Sequence, residues 1–422
     1  MKHWNEAVNI IKILEDSIEH VNKKDRDEIL SPEILKLLEG LNLKILGDNV
    51  LLKYNEAANN PAFWEESEYS ELYKYCRGTV VNYKTGQLLI APFKKFFNIG
   101  ENNFSTLEDV IALLDDNYLE ITDKADGANQ NYTNDKELGI IYSGTGTFSV
   151  GGKCPILDKG RTYIDENYKR LIVSNSDYTF IFELVSDLSE HTVKYDYEKD
   201  SGLYLLGAVN KITGKEISLH ECNELFNLEG IRQTEVEYYI DKDEPLENKI
   251  KILEEIIGSK SKYKASEKEG YVVNIGGTKF KCKMDNYFEV HSVLRKLLSR
   301  NTILQHYAEG KLDDLYANVP EDQKHRIKRV ADKLDKYKKD KNSEINRITR
   351  EICIVSDGST KEFMKLADKL PKNIRGYVKN SYLGKDFDVL YNKFSGKLTD
   401  WSEIEEYISK DKDKSENTEL NW

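Results

Sequence analysis

Hydrophobic positions along this chain follow two rhythms, and the change between them divides it. Residues 1–45 read as helical: Ser31 and Pro32 form an N-cap and first-turn pair, and Gly40 closes the segment EILKLLEG. From about Val50 the period shortens. VLLKYN, GTVVNY, QLLIAPF, YLEITDK, GIIYSG, TFIFELVS, LYLLGAVN, GYVVNI and TKFKCKM are brief runs of β-branched and aromatic residues. Turn signals at Lys84-Thr85-Gly86-Gln87, Thr213-Gly214-Lys215 and Gly276-Gly277 join several of them as hairpins. Helical stretches interrupt the strands at Leu107–Leu114 and Pro245–Ile257, so antiparallel sheets flanked by helices, an α+β fold, are predicted. After about Val290 the spacing turns helical again, with Ile327, Val330, Leu334 and Tyr337 on one face of a helix. The expected domains are a helical segment over 1–48 packed on a strand-rich domain over 49–290. An all-helical domain over 291–410 and a mobile tail over 411–422 follow.

Composition narrows the function classes. The 422 residues carry a net charge of −12, which excludes a general nucleic-acid coat protein and leaves a local basic surface as the route to phosphate. No apolar run reaches membrane-spanning length, and charges break the N-terminal apolar run, so no membrane partner and no signal peptide are expected. The five cysteines are scattered without a C-x-x-C pair, which argues for a reducing, cytoplasmic setting and against structural zinc. A monomer is expected.

The stretch TDKADGAN places Lys124 two residues before an Asp-Gly turn. A lysine nucleophile needs a neutral amine, and desolvation and neighbouring cations are two ways to obtain one. The alternating Lys279, Lys281 and Lys283 project from one face of a strand and can supply such cations. Arg77 in YCRG and Lys95 in PFKKFFN offer phosphate donors beside aromatic surfaces. Glu183 lies in the apolar run FIFELVS and needs a partner there: a cation, a ribose hydroxyl or a metal. Glu269 precedes another such run, and magnesium fits a pair of this kind. GTGTFSVGGKC is set aside as a phosphate loop, because Thr147 occupies the first Walker glycine position and Cys154 replaces Ser or Thr.

Taken in order, YCRG, PFKKFFN, KADG, FIFELVS, LYLLGAVN, EGYVV and KFKCK resemble the motif series of the covalent nucleotidyltransferase superfamily. Within it they are similar to the RNA ligases of the T-even phage RNA ligase 1 type, with fungal tRNA-splicing ligases as cousins. The resemblance spans roughly residues 50–290 and implies an adenylyltransferase domain with ATP and Mg2+ (Mn2+ substituting) as cofactors. Lys124 would then attack the ATP α-phosphate and carry AMP. Arg77 and Lys95 would grip the β- and γ-phosphates, Glu183 the ribose, and Lys281 and Lys283 the α-phosphate. Gly127 would allow close backbone approach. Glu269, with Asp126 beside it, would serve the metal. AMP would pass to an RNA 5′-phosphate, and a 3′-hydroxyl would displace it, in repair of tRNA or another structured RNA with broken ends.

The chain departs from that pattern in two places. The phage enzymes carry a basic residue downstream of the nucleophile, where this chain reads YSGTGTFSV with no base until Lys153. After FIFELVS it reads SDLSEHTVKY, which looks like the Glu-Glu-His-Val of fungal tRNA ligases and offers His191 as an RNA phosphate contact. Between Lys324 and Arg350, eleven Lys or Arg stand against four acids, a local charge of +7. Lys328, Arg329 and Lys336 are the expected RNA contacts there; a solvated amphipathic helix is the competing reading. The alternatives for the whole are an mRNA-capping guanylyltransferase or DNA ligase, which usually append a five-stranded barrel after the last motif, and an inactive RNA-binding module.

Overall fold

The fold is described from a computed structural model over residues 3–23, 26–149, 154–189, 191–285, 287–385, 387–392 and 397–407. The expected tail from 411 onward, and Lys153, lie outside the described residues. The chain divides into two compact units, Met1–His291 and Ser292–Trp422.

The first unit contains three antiparallel sheets among the described residues. β1 (Leu41–Leu46), β2 (Asn49–Tyr54), β3 (Arg77–Asn82) and β4 (Gln87–Ile90) pair in sequence order as the first. The chain then gives β5 (Leu119–Asp123) to one of the other two sheets, and β6 (Ala128–Asp135), β7 (Gly139–Ser143), β8 (Tyr178–Val185), β9 (Gly202–Asn210) and β10 (Glu216–Ile217) to the other, in the order β10-β9-β8-β6-β7. β11 (Val236–Ile240), β12 (Gly270–Ile275) and β13 (Thr278–Lys283) complete the sheet of β5, ordered β11-β5-β12-β13. The α+β class, with helices flanking antiparallel sheets, is therefore as the hydrophobic rhythm indicates.

Four strands of this unit escaped that rhythm: β1, β6, the two-residue β10, and β11. LNLKIL of β1 falls in the segment expected to be helical, yet it pairs with β2 along its whole length. Its leucines carry no β preference of their own, and the partner strand decides its state. β6 reads ANQNYTND and is polar, yet it lies between β7 and β8 with Gln130, Asn131 and Thr133 fully buried. All but one of their side chains' polar groups find partners: the Gln130 amide donates to the Ile156 carbonyl at 2.7 Å, the Thr133 hydroxyl to the Tyr178 carbonyl at 2.7 Å and the Asn131 amide to the Ser143 hydroxyl at 3.3 Å, while Asn131 Oδ1 has no partner among the described residues. Burial without such partners would cost several kcal/mol on the order of 2–7 per group.

The helix Glu6–Leu14 buries Ala7, Val8, Ile10, Ile11 and Leu14 in one core with Val50, Leu52 and Val81 of β2 and β3. The sheet of β5 has its own core, to which the helices Leu107–Ala112 and Leu246–Gly258 contribute Val110, Leu253 and Ile256. Lys249 of the second helix is fully buried, and its ammonium donates to the carbonyls of Asn117 and Lys242 at 2.8 Å, Leu114 at 3.1 Å and Asp115 at 3.4 Å. It gathers the chain end that leads into β5. In the second unit the helix Lys324–Val355 buries Ile327, Leu334 and Tyr337, the face expected from sequence. That unit is not all-helical: a two-residue pair, β14 (Tyr391–Asn392) with β15 (Lys397–Leu398), is present.

Candidate active site

Lys124 follows the last residue of β5, and its backbone N–H donates to the Gly270 carbonyl at 3.0 Å, which holds KADG beside the start of β12. The chain then crosses to β6, so the turn bridges two sheets. Gly127 lies against β8: a Cβ there would sit 2.3 Å from the Leu184 carbonyl oxygen and 3.1 Å from Glu183 Cγ. The close approach expected of Gly127 is therefore made to a neighbouring strand, where no side chain fits.

Lys124 Nζ lies 2.6 Å from Glu269 Oε2, and Lys283 Nζ lies 2.8 Å from the other oxygen of the same buried carboxylate. Lys281 and Lys283 share a face of β13, as the alternation requires, but the third lysine of the strip goes elsewhere. Lys279 is buried with Glu216 at 2.6 Å, under the Phe93 ring. The PFKKFFN segment runs alongside β13: Lys281 N–H donates to Phe97 O at 2.8 Å, and Ile99 N–H to Lys281 O at 2.9 Å. Phe96 consequently meets both the Arg77 guanidinium, 5.6 Å from its ring centre, and the Lys281 ammonium, at 5.0 Å. Lys95 packs 4.9 Å from the Phe97 ring centre. Among the described residues, Arg77, Lys95 and Lys281 have no carboxylate at ion-pair distance.

The electrostatics follow from that division into paired and unpaired cations. Burial, reinforced by Lys95, Arg77, Lys124 and Lys283, holds the Lys281 amine well below the ordinary lysine value. Burial and Arg77 bring Lys95 down to about 8. Burial would also lower Lys124, but Glu269, Glu183 and Asp126 outweigh it and hold the amine above its ordinary value. The cations expected to depress the nucleophile thus depress one another instead. A cluster of desolvated, unpaired cations is an anion site, and this one suits a polyphosphate.

Of the three acidic residues proposed for ribose or metal, two are already engaged. Glu269 is held by two lysines. Asp126 is buried, with Oδ2 accepting from the Thr192 and Val193 N–H groups at 2.6 and 3.0 Å and Oδ1 from the Tyr287 hydroxyl at 2.7 Å. It clasps the 192–193 backbone and Tyr287, so both oxygens expected to serve the metal accept hydrogen bonds from the protein. Glu183 is the open carboxylate: it makes no hydrogen bond or ion pair among the described residues, and burial raises it to about 7. No group of three or more metal-ligating side chains is gathered among the described residues. A magnesium ion held by one carboxylate together with substrate phosphates fits this donor set at Glu183.

His191 is not available to RNA in this arrangement. It is buried, with Nδ1 2.9 Å from Val193 O and Nε2 2.7 Å from the Tyr197 hydroxyl, so it shapes the segment that clasps Asp126. Tyr195 belongs to the same clasp, its hydroxyl accepting from the Asp126 N–H at 2.9 Å. Sequence reasoning missed Tyr195, Tyr287 and the Thr192–Val193 amides, because no spacing announces a backbone donor or a tyrosine brought in from another element. In the second unit Lys328, Arg329 and Lys336 are exposed on the long helix, with Lys328 paired to Asp332 at 2.9 Å.

A family model for RNA ligase of the T4 RNA ligase 1 type matches residues 75–288. The chain belongs to this RNA ligase family. The match covers every motif residue from Arg77 to Lys283. No curated protein matches the chain. Among solved structures it is similar to a mutant Naegleria gruberi RNA ligase with ATP and Mn, at 14% identity over 46% of this chain and 56% of that one, with a TM-score of 0.34. The same organism's RNA ligase with PPi matches at 15% identity over 47% and 57%, TM-score 0.36. An archaeal ATP-dependent RNA ligase matches at 13% identity over 75% and 78%, TM-score 0.40. The chain spans a little over half the length of the Naegleria proteins it matches.

Proposed function

We propose that this RNA ligase family member joins RNA 3′-hydroxyl and 5′-phosphate ends with ATP, through AMP carried on Lys124. The observation that carries the reading is the placement of Lys124 against Glu269, beside the unpaired cations Arg77, Lys95 and Lys281. In the first step the neutral Lys124 amine attacks the α-phosphorus of ATP. A nitrogen–phosphorus bond forms, the bond from the α-phosphorus to the α,β-bridging oxygen breaks, and pyrophosphate leaves with that electron pair. Arg77, Lys95 and Lys281 counter the charge that moves onto the leaving group. Lys124 must first lose its proton, and the Glu269 carboxylate resists that loss unless its charge is compensated. Magnesium, when bound, supplies positive charge to the phosphates and to the Glu183 side of the pocket. The RNA 5′-phosphate then takes AMP from Lys124, and the 3′-hydroxyl of the other end displaces AMP.

Helices, rather than a five-stranded barrel, follow β13 among the described residues, which favours this reading over a capping enzyme or DNA ligase. We further propose a broken structured RNA such as tRNA as substrate, in a reducing cytoplasm that suits the free, largely buried cysteines. Incubation with α-labelled ATP and magnesium, followed by nicked, linear and anticodon-cleaved RNAs, tests the proposal. Label on Lys124 that moves to RNA supports it. A chain that takes label only from GTP, or none at all, contradicts it.

A further inference from the structure

β2 and β3 pair with a bulge that carries Leu52 opposite Thr79 but Lys53 opposite Arg77. Skipping Gly78 puts Lys53 and Arg77 on one face of the sheet, where directly opposed side chains start about 5 Å apart. Lys53 is exposed, and among the described residues no carboxylate lies at ion-pair distance from its ammonium. The ammonium lies along the loop after β7: a Cβ on Gly146 would sit 3.4 Å from Lys53 Cδ and 3.5 Å from Nζ. That loop is seated against Arg77's neighbour. A Cβ on Gly78 would be 2.4 Å from the Gly144 carbonyl oxygen, and the Ser143 hydroxyl donates to Gly78 O at 3.0 Å. On its other side, Gly144 approaches the carbonyl of Asn129, which stands across from Glu183 in the β6–β8 register. Lys53, Arg77, the 143–147 loop and Glu183 thus succeed one another along one wall of the site, and Tyr142–Ser149 carries no base of its own.

We propose that Lys53 is a phosphate-contact residue that extends the Arg77–Lys95–Lys281 anion site outward along the loop at Gly146. The inference rests on the ligase reading above. The phosphate it meets comes either from the pyrophosphate end of ATP or from the RNA backbone at the ends to be joined.

Adenylylation by labelled ATP and sealing of chemically pre-adenylylated RNA, the latter at several salt concentrations, separate the two sources. Lys53→Ala is expected to lose about fivefold to tenfold in one arm, as for a partly solvated charge-assisted contact. A raised KM for ATP with sealing intact assigns the nucleotide. Weaker sealing, with a salt slope shallower by roughly one unit, assigns RNA. Lys53→Arg should restore the loss. Gly146→Val, which crowds the lysine stem without changing charge, should reproduce it and not add to Lys53→Ala. An unchanged melting temperature for Lys53→Ala separates the effect from unfolding, and Lys53→Gln substitutes if that variant is unstable. Wild-type behaviour of all variants in both arms overturns the inference, as does a Lys53→Arg enzyme as weak as Lys53→Ala. If the wild-type chain takes no label from ATP, the ligase reading itself has failed.

Discussion

Lys124 and Glu269 form an ion pair of 2.6 Å, and against burial this contact, with Glu183 and Asp126, favours the charged form of the candidate nucleophile. Without the Glu269 charge, the burial that now opposes the ammonium has less to overcome. Glu269→Gln should therefore lower the pH midpoint at which Lys124 reacts with an amine-modifying reagent, relative to wild type. An unchanged or higher midpoint would show that Glu183 and Asp126 suffice. Lys124→Ala should abolish labelling by ATP while leaving at least part of the sealing of pre-adenylylated RNA, and robust labelling of that variant would contradict the assignment.

Arg77 and Lys95 have no carboxylate partner among the described residues; in the proposed mechanism they counter the leaving pyrophosphate, so each should act mainly before AMP is transferred. Alanine at either position is expected to slow adenylylation about tenfold to a hundredfold, the range for one hydrogen bond to a charged group. Sealing of pre-adenylylated RNA should suffer much less. Equal losses in the two assays would place these residues on RNA or in the fold.

Lys95 also predicts a pH dependence. Its amine titrates at about 8, so it is charged below that pH and loses its charge as pH rises through it. The KM for ATP should therefore rise above pH of about 8, and Lys95→Met should remove that inflection while raising KM at lower pH. A wild-type inflection that survives in Lys95→Met would belong to another group.

Lys249 stabilises the first unit without taking part in the chemistry. Its ammonium donates to three carbonyls where the chain enters β5 and to the Lys242 carbonyl just after β11. Lys249→Met leaves those acceptors without their donor and should lower the unfolding free energy by about 3 kcal/mol or more, since each buried unsatisfied group costs about 1–3 kcal/mol. Denaturant unfolding measures this, and a change under about 1 kcal/mol would mean that water replaces the ammonium.

The long helix of the second unit offers Lys328, Arg329 and Lys336 to solvent. Reversing all three charges should weaken RNA joining and flatten its salt dependence by roughly one unit of slope per lost phosphate contact, with Lys124 labelling intact. Unchanged RNA affinity and salt slope would leave the segment as a solvated amphipathic helix.

Much of this protein is legible in its sequence because the signals are local. Period-two runs mark β2–β5, β7–β9, β12 and β13, the glycine pair 276–277 marks a hairpin, and the alternating lysines of TKFKCK share a face because strand geometry demands it. The order of charged motifs names Lys124, Arg77, Lys95, Glu183, Glu269, Lys281 and Lys283 as candidates. What the sequence does not carry is which charges meet. Buried partners for Gln130, Asn131 and Thr133 make a strand of a polar segment, and those partners come from β7, β8 and the 156 carbonyl. Asp126 spends its carboxylate on backbone amides more than sixty residues away and on Tyr287, and His191 spends its ring on its own segment. Lys53 stands opposite Arg77 because of a one-residue bulge. A side chain's charge is a property of the chain, but its dielectric surroundings and partners are properties of the packed structure. For that reason Lys281 and Lys124, one residue type in two motifs of one site, are driven in opposite directions.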